Sequence, residues 1–510
     1  MYIKNYIDIP TNILEQELNS YRAFTTDFEK VKRYYEIYHK GSIFVPTESK
    51  GDYVPSQISF KKAANLINKE ARFMFAKTPE VKVSSTVDNA ESSPQIKEEI
   101  TIFQSLIDKV LKANDFGRNI IKAARDCFIG ERIGIMLNFN EEDGITLTFL
   151  PALNFVYETS DSDCNCIEKF VAFVITDSEQ DTASKRIFKK KYVMMKDGYC
   201  HVFETTYDGY GTVMSKETEI KTLFKYIPAR VIANDGLLND IFGQSEIELL
   251  NDYESLYSKI SNADIDAERQ SMNPIRYTTN ASNASTKNLS IAPGSYWDLQ
   301  PNINNGESTS VTAGVLETGM NYSGPLAETL KRISTIMHDT IDMPDISLES
   351  MQGIITSGKA LKSIYWPLIV RCDEKMKAWQ PALEFVCKTI IEGAKLYPTS
   401  ASKYIVSSIP VMNNEYEISV ENIYPISDEE SEEKTLDIME VNAQTMSKKA
   451  YMMKWRNLTS AQADEELKQI ALERQTLEDS FTTPPMSYED NMIEDETESN
   501  IEENIIDEEA

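Results

Sequence analysis

The chain has 510 residues, 41% of them hydrophobic, and a formal net charge of −29, which is length enough for several domains around a large buried core. So negative a field repels phosphates and anionic membrane; it excludes a protein that grips DNA, but not one past which DNA slides. No apolar window reaches 18 residues, MYIKNYIDIPTNILEQ lacks the apolar core of a secretion signal, and six irregularly spaced cysteines form no disulfide framework, so assembly in a reducing, intracellular place is expected.

The first forty residues read as helix, with Gly41 as the C-cap. A polar loop containing Pro46, Gly51 and Pro55 follows. A second helix is predicted over Ser59–Ala76, with Leu66, Ile67, Phe73 and Met74 on its apolar side, stopped by Thr78-Pro79. A third runs from Pro94 to Gly130 and breaks near Asn114–Gly117. From Arg132 the period changes to alternation. RIGIMLNFN, the turn EEDG and ITLTFL predict a hairpin with Gly144 at positive φ, and strands FVYET, KFVAFVIT, RIFKKKYVMM and YCHVFETTY continue to about Tyr226. The result is a β-rich layer packed on helices.

Helix returns after Gly243. Ile247, Leu250, Leu256, Ile260 and Ile265 form its apolar side, and the other faces carry Glu246, Glu248, Asp252, Glu254, Asp264, Asp266 and Glu268. A Gly-, Asn-, Ser- and Thr-rich module spans 274–324, with strand-like IRYTT and SYWDL. Pro325 then opens LAETLKRISTIMHDTI at the N1 position favoured by proline. Two helices that bracket a small module predict an antiparallel pair carrying that module at its tip.

A polar loop, DISLESMQGIITSG, leads from Pro344 into the longest periodic stretch, Ser357–Leu396. There Leu361, Tyr365, Leu368, Cys372, Met376, Trp379, Leu383, Val386 and Ile390 draw one helical stripe. With Ser357 as N-cap, the helix is about 60 Å long at 1.5 Å per residue; Pro367 and Pro381 inside it predict two kinks. YEISVENIY reads as a strand, and the segment to Gln475 as several short helices, one opened by the cap-like TSAQADEE at Thr459. After Arg474 come thirteen Asp or Glu and no Lys or Arg, the composition of a disordered acidic tail.

Chemistry-bearing motifs are weak. Gly353–Ala360 nearly matches a phosphate loop, but Ala360 stands where the Mg²⁺-binding hydroxyl belongs and no buried strand precedes it. Cys164-Asn165-Cys166 and Cys200-His201 lack zinc spacing; the histidines at 39, 201 and 338 have no partner pattern, and there is no GxSxG. The pairs Tyr34-Tyr35 and Tyr365-Trp366 read as core. No enzyme, cofactor or metal site is expected.

The order of segments resembles the portal proteins of tailed bacteriophages, the long-tailed type. RYYEIYHKG is similar to the family's Tyr-Tyr-x-Gly region, and FMFAKTPEV to its Phe-x-Phe-Gly-Lys-x-Pro motif, with Ala76 where Gly is usual. GERIGIMLNFNEEDGITLTFLPALNFVYE resembles wing hairpins, YIPARVIANDGLLNDIFGQSEIELLNDYESLYSKISNADID the entry to the stem, and SGKALKSIYWPL the start of the long wing helix. YPISDEESEEKTLDIMEVNAQTMSKKA with AQADEELKQIALE resembles the crown. The collinear set covers most of residues 30–475; the module at 274–323 matches by position.

The resemblance implies an α+β, multi-domain ring subunit: a wing over 1–243, stem helices over 244–273 and 324–343, a clip over 274–323, a tunnel loop over 344–356, a long kinked wing helix over 357–400, a helical crown over 401–476 and the tail over 477–510. It implies a twelve-fold homo-oligomeric ring at one capsid vertex, through which double-stranded DNA is packaged and ejected without sequence-specific binding. Terminase, a head-completion adaptor, and the major capsid and scaffolding proteins are the implied partners, with assembly in the host cytoplasm and residence in the virion. Ser347, Glu349, Gln352 and Thr356 are then the DNA-facing residues of the tunnel loop, and Glu246, Asp252, Asp264 and Glu268 those lining the stem. A scaffold or adaptor that never meets DNA is the alternative, and a nucleotide-driven motor subunit comes third.

Overall fold

The structure is a computed structural model that describes residues 9, 13, 21–42, 54–86, 94–160, 166–175, 186–237, 242–272, 275–287, 289, 297–304, 307–308, 310–316, 322–345, 358–405, 409–412, 415–425, 430–456 and 460–481. The chain divides into two compact units, Met1–Ser427 and Asp428–Ala510. Helices and strands are mixed in an α+β arrangement.

In the first unit the N-terminal helices are α1 (Tyr21–Lys40), α2 (Lys62–Phe75), α3 (Pro94–Ala113) and α4 (Phe116–Gly130). Gly41 ends α1 at φ +86°, and Asp115 at φ +48° separates α3 from α4, as the punctuation of the sequence predicts. The hairpin β2 (Arg132–Asn140) and β3 (Gly144–Pro151) turns at Gly144, φ +82°. A five-stranded antiparallel meander follows: β4 (Phe155–Thr159), β5 (Ile167–Ile175), β6 (Arg186–Met194), β7 (Cys200–Asp208) and β8 (Thr218–Lys221). Then β9 (Ala229–Ala233) returns to pair with β2.

Strand β2 is apolar on both faces because both are covered. Ile133, Ile135 and Leu137 join the main core with the helices, while Met136 faces a second core with Leu150, Phe170, Tyr192 and Val202 between the two sheets. Gly134 permits that approach, since a Cβ there would lie 3.2 Å from the Phe155 and Phe170 rings.

Helix α5 (Glu246–Met272) enters the small module, whose strands β10 (Ile275–Thr279) and β13 (Thr312–Leu316) pair antiparallel. The module also holds the short helix α6 (Asn283–Thr286) and the two-residue strands β11 (Ile303–Asn304) and β12 (Glu307–Ser308). IRYTT is a strand as expected, whereas Trp297–Leu299 of SYWDL is irregular. Helix α7 (Ser323–Thr340) begins two residues before Pro325, so the proline sits inside the first turn.

The spine α8 (Gly358–Leu396) runs 39 residues through both prolines. Its stripe is the seam of the unit: Leu368, Cys372, Met376, Trp379, Leu383, Val386 and Ile390 are all buried, against β2, β9, α3 and β14. Tyr365 stacks on Phe73 with centroids 5.3 Å apart, but Trp366 is 59% exposed, which corrects its reading as core. After the short α9 (Pro398–Ala401), β14 (Tyr416–Glu421) pairs antiparallel with β1 (Glu80–Ser85). That ladder ties Tyr416–Glu421 to the first unit, which extends to Ser427.

The second unit holds α10 (Glu430–Asn442), α11 (Lys448–Arg456) and α12 (Ser460–Phe481). Asp437 accepts from Trp455 Nε1 at 2.6 Å and pairs with Lys454 at 2.8 Å; Lys449 pairs with Asp464 at 2.8 Å. Helix α12 runs to Phe481, past the expected start of the tail at 477; residues 482–510 lie outside the described ones.

Candidate functional site: the stem pair and its charged hub

The paired helices α5 and α7 are packed together and run antiparallel. At one end the Tyr322 phenol, just before α7, lies in the field of Asp264 and Glu268 near the end of α5; burial first, then those carboxylates, raises its pKa. At the other end Arg371 of the spine reaches both Glu246, the first residue of α5, and Asp342, just after α7.

At that meeting point four charges are locked together. Glu70 Oε1 of α2 accepts from Arg371 Nε at 3.0 Å and from Lys375 Nζ at 2.7 Å. Glu246 accepts from Arg371 Nη2 at 2.8 and 2.7 Å and from Lys375 Nζ at 2.7 Å. The Glu70, Glu246 and Lys375 side chains are at most 1% exposed, and Lys375 also stands 3.8 Å over the Phe128 ring. Two carboxylates and two cations neutralise one another, the condition under which buried charge is tolerated. Burial works against an ionised Glu246, yet Lys375 and Arg371 hold its carboxyl below the usual range. Burial pushes Glu70 up, against the pull of Lys375.

Other stem carboxylates bind backbone. Glu254 accepts the N–H groups of Ser42 (3.2 Å) and Ala63 (2.9 Å), and Asp266 accepts that of Ser56 (3.0 Å). Asn262 exchanges hydrogen bonds with Ile58 at 2.8 and 2.7 Å. The stretch 54–63 is thereby tied to α5 through the N–H groups of Ser56, Ile58 and Ala63, which α5 side chains accept.

Of the four residues expected to line the stem, Asp252 and Glu268 are exposed, Asp264 is half-buried, and Glu246 is buried in the hub. The Glu246 expectation is corrected: its carboxylate is taken up by Arg371 and Lys375 and is not available to a tunnel surface. Leu256, expected on the apolar side, is 47% exposed. Ser347, Glu349, Gln352 and Thr356 lie outside the described residues. Sequence reasoning missed the hub, although one signal pointed to it. Arg371 and Lys375, four apart, sit within the stripe of Leu368, Cys372, Met376 and Trp379, and a cation inside an apolar stripe requires a buried anion.

Among the described residues no group of His, Cys, Asp and Glu is arranged to hold a metal, and no helix is long and apolar enough to cross a membrane. A cleft of about 530 Å³ lies between β1 and the α3–α4 turn. Its lining includes Lys82, Asp108, Lys112, Asp115 and Arg118.

A seam helix, a packed helix pair that brackets a small module and an interlocked charged hub are the main features of the first unit. The model of the family described as phage portal protein, SPP1 Gp6-like, matches residues 14–479, and the chain belongs to that family. The family is one of structural, non-enzymatic proteins. No curated protein matches the sequence.

Proposed function

We propose that this chain is the subunit of a ring, twelve-fold in the manner its resemblance implies, that sits at one capsid vertex of the virion. The ring is the channel through which double-stranded DNA is packaged and later ejected. It docks terminase and afterwards a head-completion adaptor on the module at 274–323, and meets the major capsid and scaffolding proteins during assembly in the host cytoplasm. The observation that carries this reading is the family match over 14–479, which includes the stem pair and the spine. Asp252, Asp264 and Glu268 suit a DNA-facing stem, because carboxylates repel phosphates and neutralise none of them, so no counterion release drives tight binding.

The tunnel loop deepens the same reading. Between Asp345 and Thr356 the sequence has Glu349 and Gln352 and no Lys or Arg, so this loop leaves the passing DNA ungripped. Imaging and mass measurement of purified protein test the ring: closed rings near twelve copies are expected, and a monomer at high concentration overturns the proposal. Glu349→Lys with Gln352→Lys then tests the loop. Proheads of matched ring content are expected to package DNA more slowly or to stall; full-length packaging at the normal rate removes the loop from the DNA path.

A further inference from the structure

The edge of the five-stranded sheet carries a cluster that the ring function does not use. His201, in β7, lies between the β6–β7 turn and the edge strand β8. Its Nδ1 is 2.7 Å from Glu219 Oε1 of β8, and its Nε2 is 3.1 Å from Asp197 Oδ2 of the turn. Asp197 also accepts Lys221 Nζ at 2.6 Å and, through Oδ1, the Tyr199 N–H at 3.1 Å. Lys221 stands 4.3 Å over the Tyr199 ring. The groups facing the imidazole are thus Asp197 from the turn, and Glu219 and Lys221 from β8. Val193, opposite His201 on β6, brings no charge; Lys191, two residues along the same face of β6, stands over the Phe203 ring. The imidazole is 12% exposed.

We propose that His201 is a proton-operated clasp that closes the β8 edge onto the sheet. Only the imidazolium donates at both nitrogens; the neutral ring donates once and turns a lone pair towards the other carboxylate. Strand β8 depends on that clasp more than the inner strands do. It has four residues, all exposed, joined to β7 by the short ladder from His201↔Lys221 to Glu204↔Thr218, and among the described residues no strand pairs with its outer side. Hydrogen bonds to Asp197 and then Glu219 raise the His201 pKa above the ordinary imidazole value. The clasp therefore holds below that ordinary value and is lost as pH rises through the raised one. Past that point β8 frays and uncovers the β7 backbone edge.

Hydrogen–deuterium exchange of the full chain at pH 6 and pH 8.5, corrected for intrinsic exchange, tests the clasp on peptides covering residues 214–223. The wild type is expected to lose protection there several-fold at the higher pH, while peptides from the spine hold theirs. His201→Gln is expected to show equal protection at both pH values. Glu219→Gln, which keeps the imidazole and removes one carboxylate, is expected to shift the transition to lower pH. A wild type without the transition, or variants that retain it unchanged, overturns the proposal.

Discussion

Arg371 and Glu246 stand 125 residues apart in sequence, and the guanidinium Nη2 lies 2.8 and 2.7 Å from the two oxygens of the carboxylate. This pair fastens the start of the stem to the middle of the spine. Removing the guanidinium leaves the buried Glu246 and Glu70 sharing Lys375. Arg371→Met is expected to destabilise by about 3–5 kcal/mol, the range for breaking a buried pair from one side. Urea unfolding read by fluorescence measures it, and a loss below about 1 kcal/mol would show that the hub reorganises.

Gly243 precedes the stem where there is no room for a side chain. A Cβ would come within 2.4 Å of the carbonyl oxygens of both Asn234 and Glu131, backbone atoms that no rotamer change can move aside. Gly243→Ala is expected to lower stability by about 1–3 kcal/mol through forced backbone displacement. Gly324→Ala is the control: nothing lies within 4 Å of its Cβ, and it sits in the first turn of α7. It should be neutral or stabilising by up to about 1 kcal/mol. Thermal melts of the two variants separate the cases.

Trp379 is the largest fully buried side chain, packed on Phe75 with ring centroids 5.0 Å apart. Trp379→Ala is expected to cost about 3–5 kcal/mol in unfolding free energy by transfer and cavity terms. Trp366→Ala, on the exposed side of the same helix, should stay within about 0.5 kcal/mol in the isolated chain. Equal effects in denaturant titrations would contradict the seam assignment.

Two carboxyls, buried Glu131 and half-buried Asp126, make stability depend on pH near neutrality. Burial raises Asp126 to about 6, with Tyr35 donating to it, and raises Glu131 to about 7 against the pull of Lys30. Both folded values exceed the unfolded ones, so the folded chain holds these protons more tightly. The stabilisation is full below the unfolded values and is lost as pH rises through about 6 and 7. Melting temperature is therefore expected to be higher at pH 5.5 than at pH 8 on account of these groups, with Glu131→Gln reducing the slope. A slope unchanged in the variant would remove Glu131 from the account.

What was legible in the sequence was what short-range periodicity carries. The spine, the α3–α4 break, the hairpin at Gly144 and the meander each follow from side chains a few residues apart, because helix and strand geometry repeat over that distance. The helix pair α5 and α7 around a short stranded module was legible for the same reason. The family's features were legible as a collinear order of such segments. Tertiary structure alone decided which charges are bare. Glu246 and Asp252 both read as the polar face of one helix, yet Glu246 is buried because Arg371 and Lys375 approach from the spine, while Asp252 meets no such cation among the described residues and stays exposed. It likewise decided that Tyr416–Glu421 belongs with Glu80–Ser85, since a β-ladder joins backbones whatever their separation in sequence. Partners that far apart leave no periodic trace in one sequence: burial and pairing are properties of the packed chain, not of any segment within it.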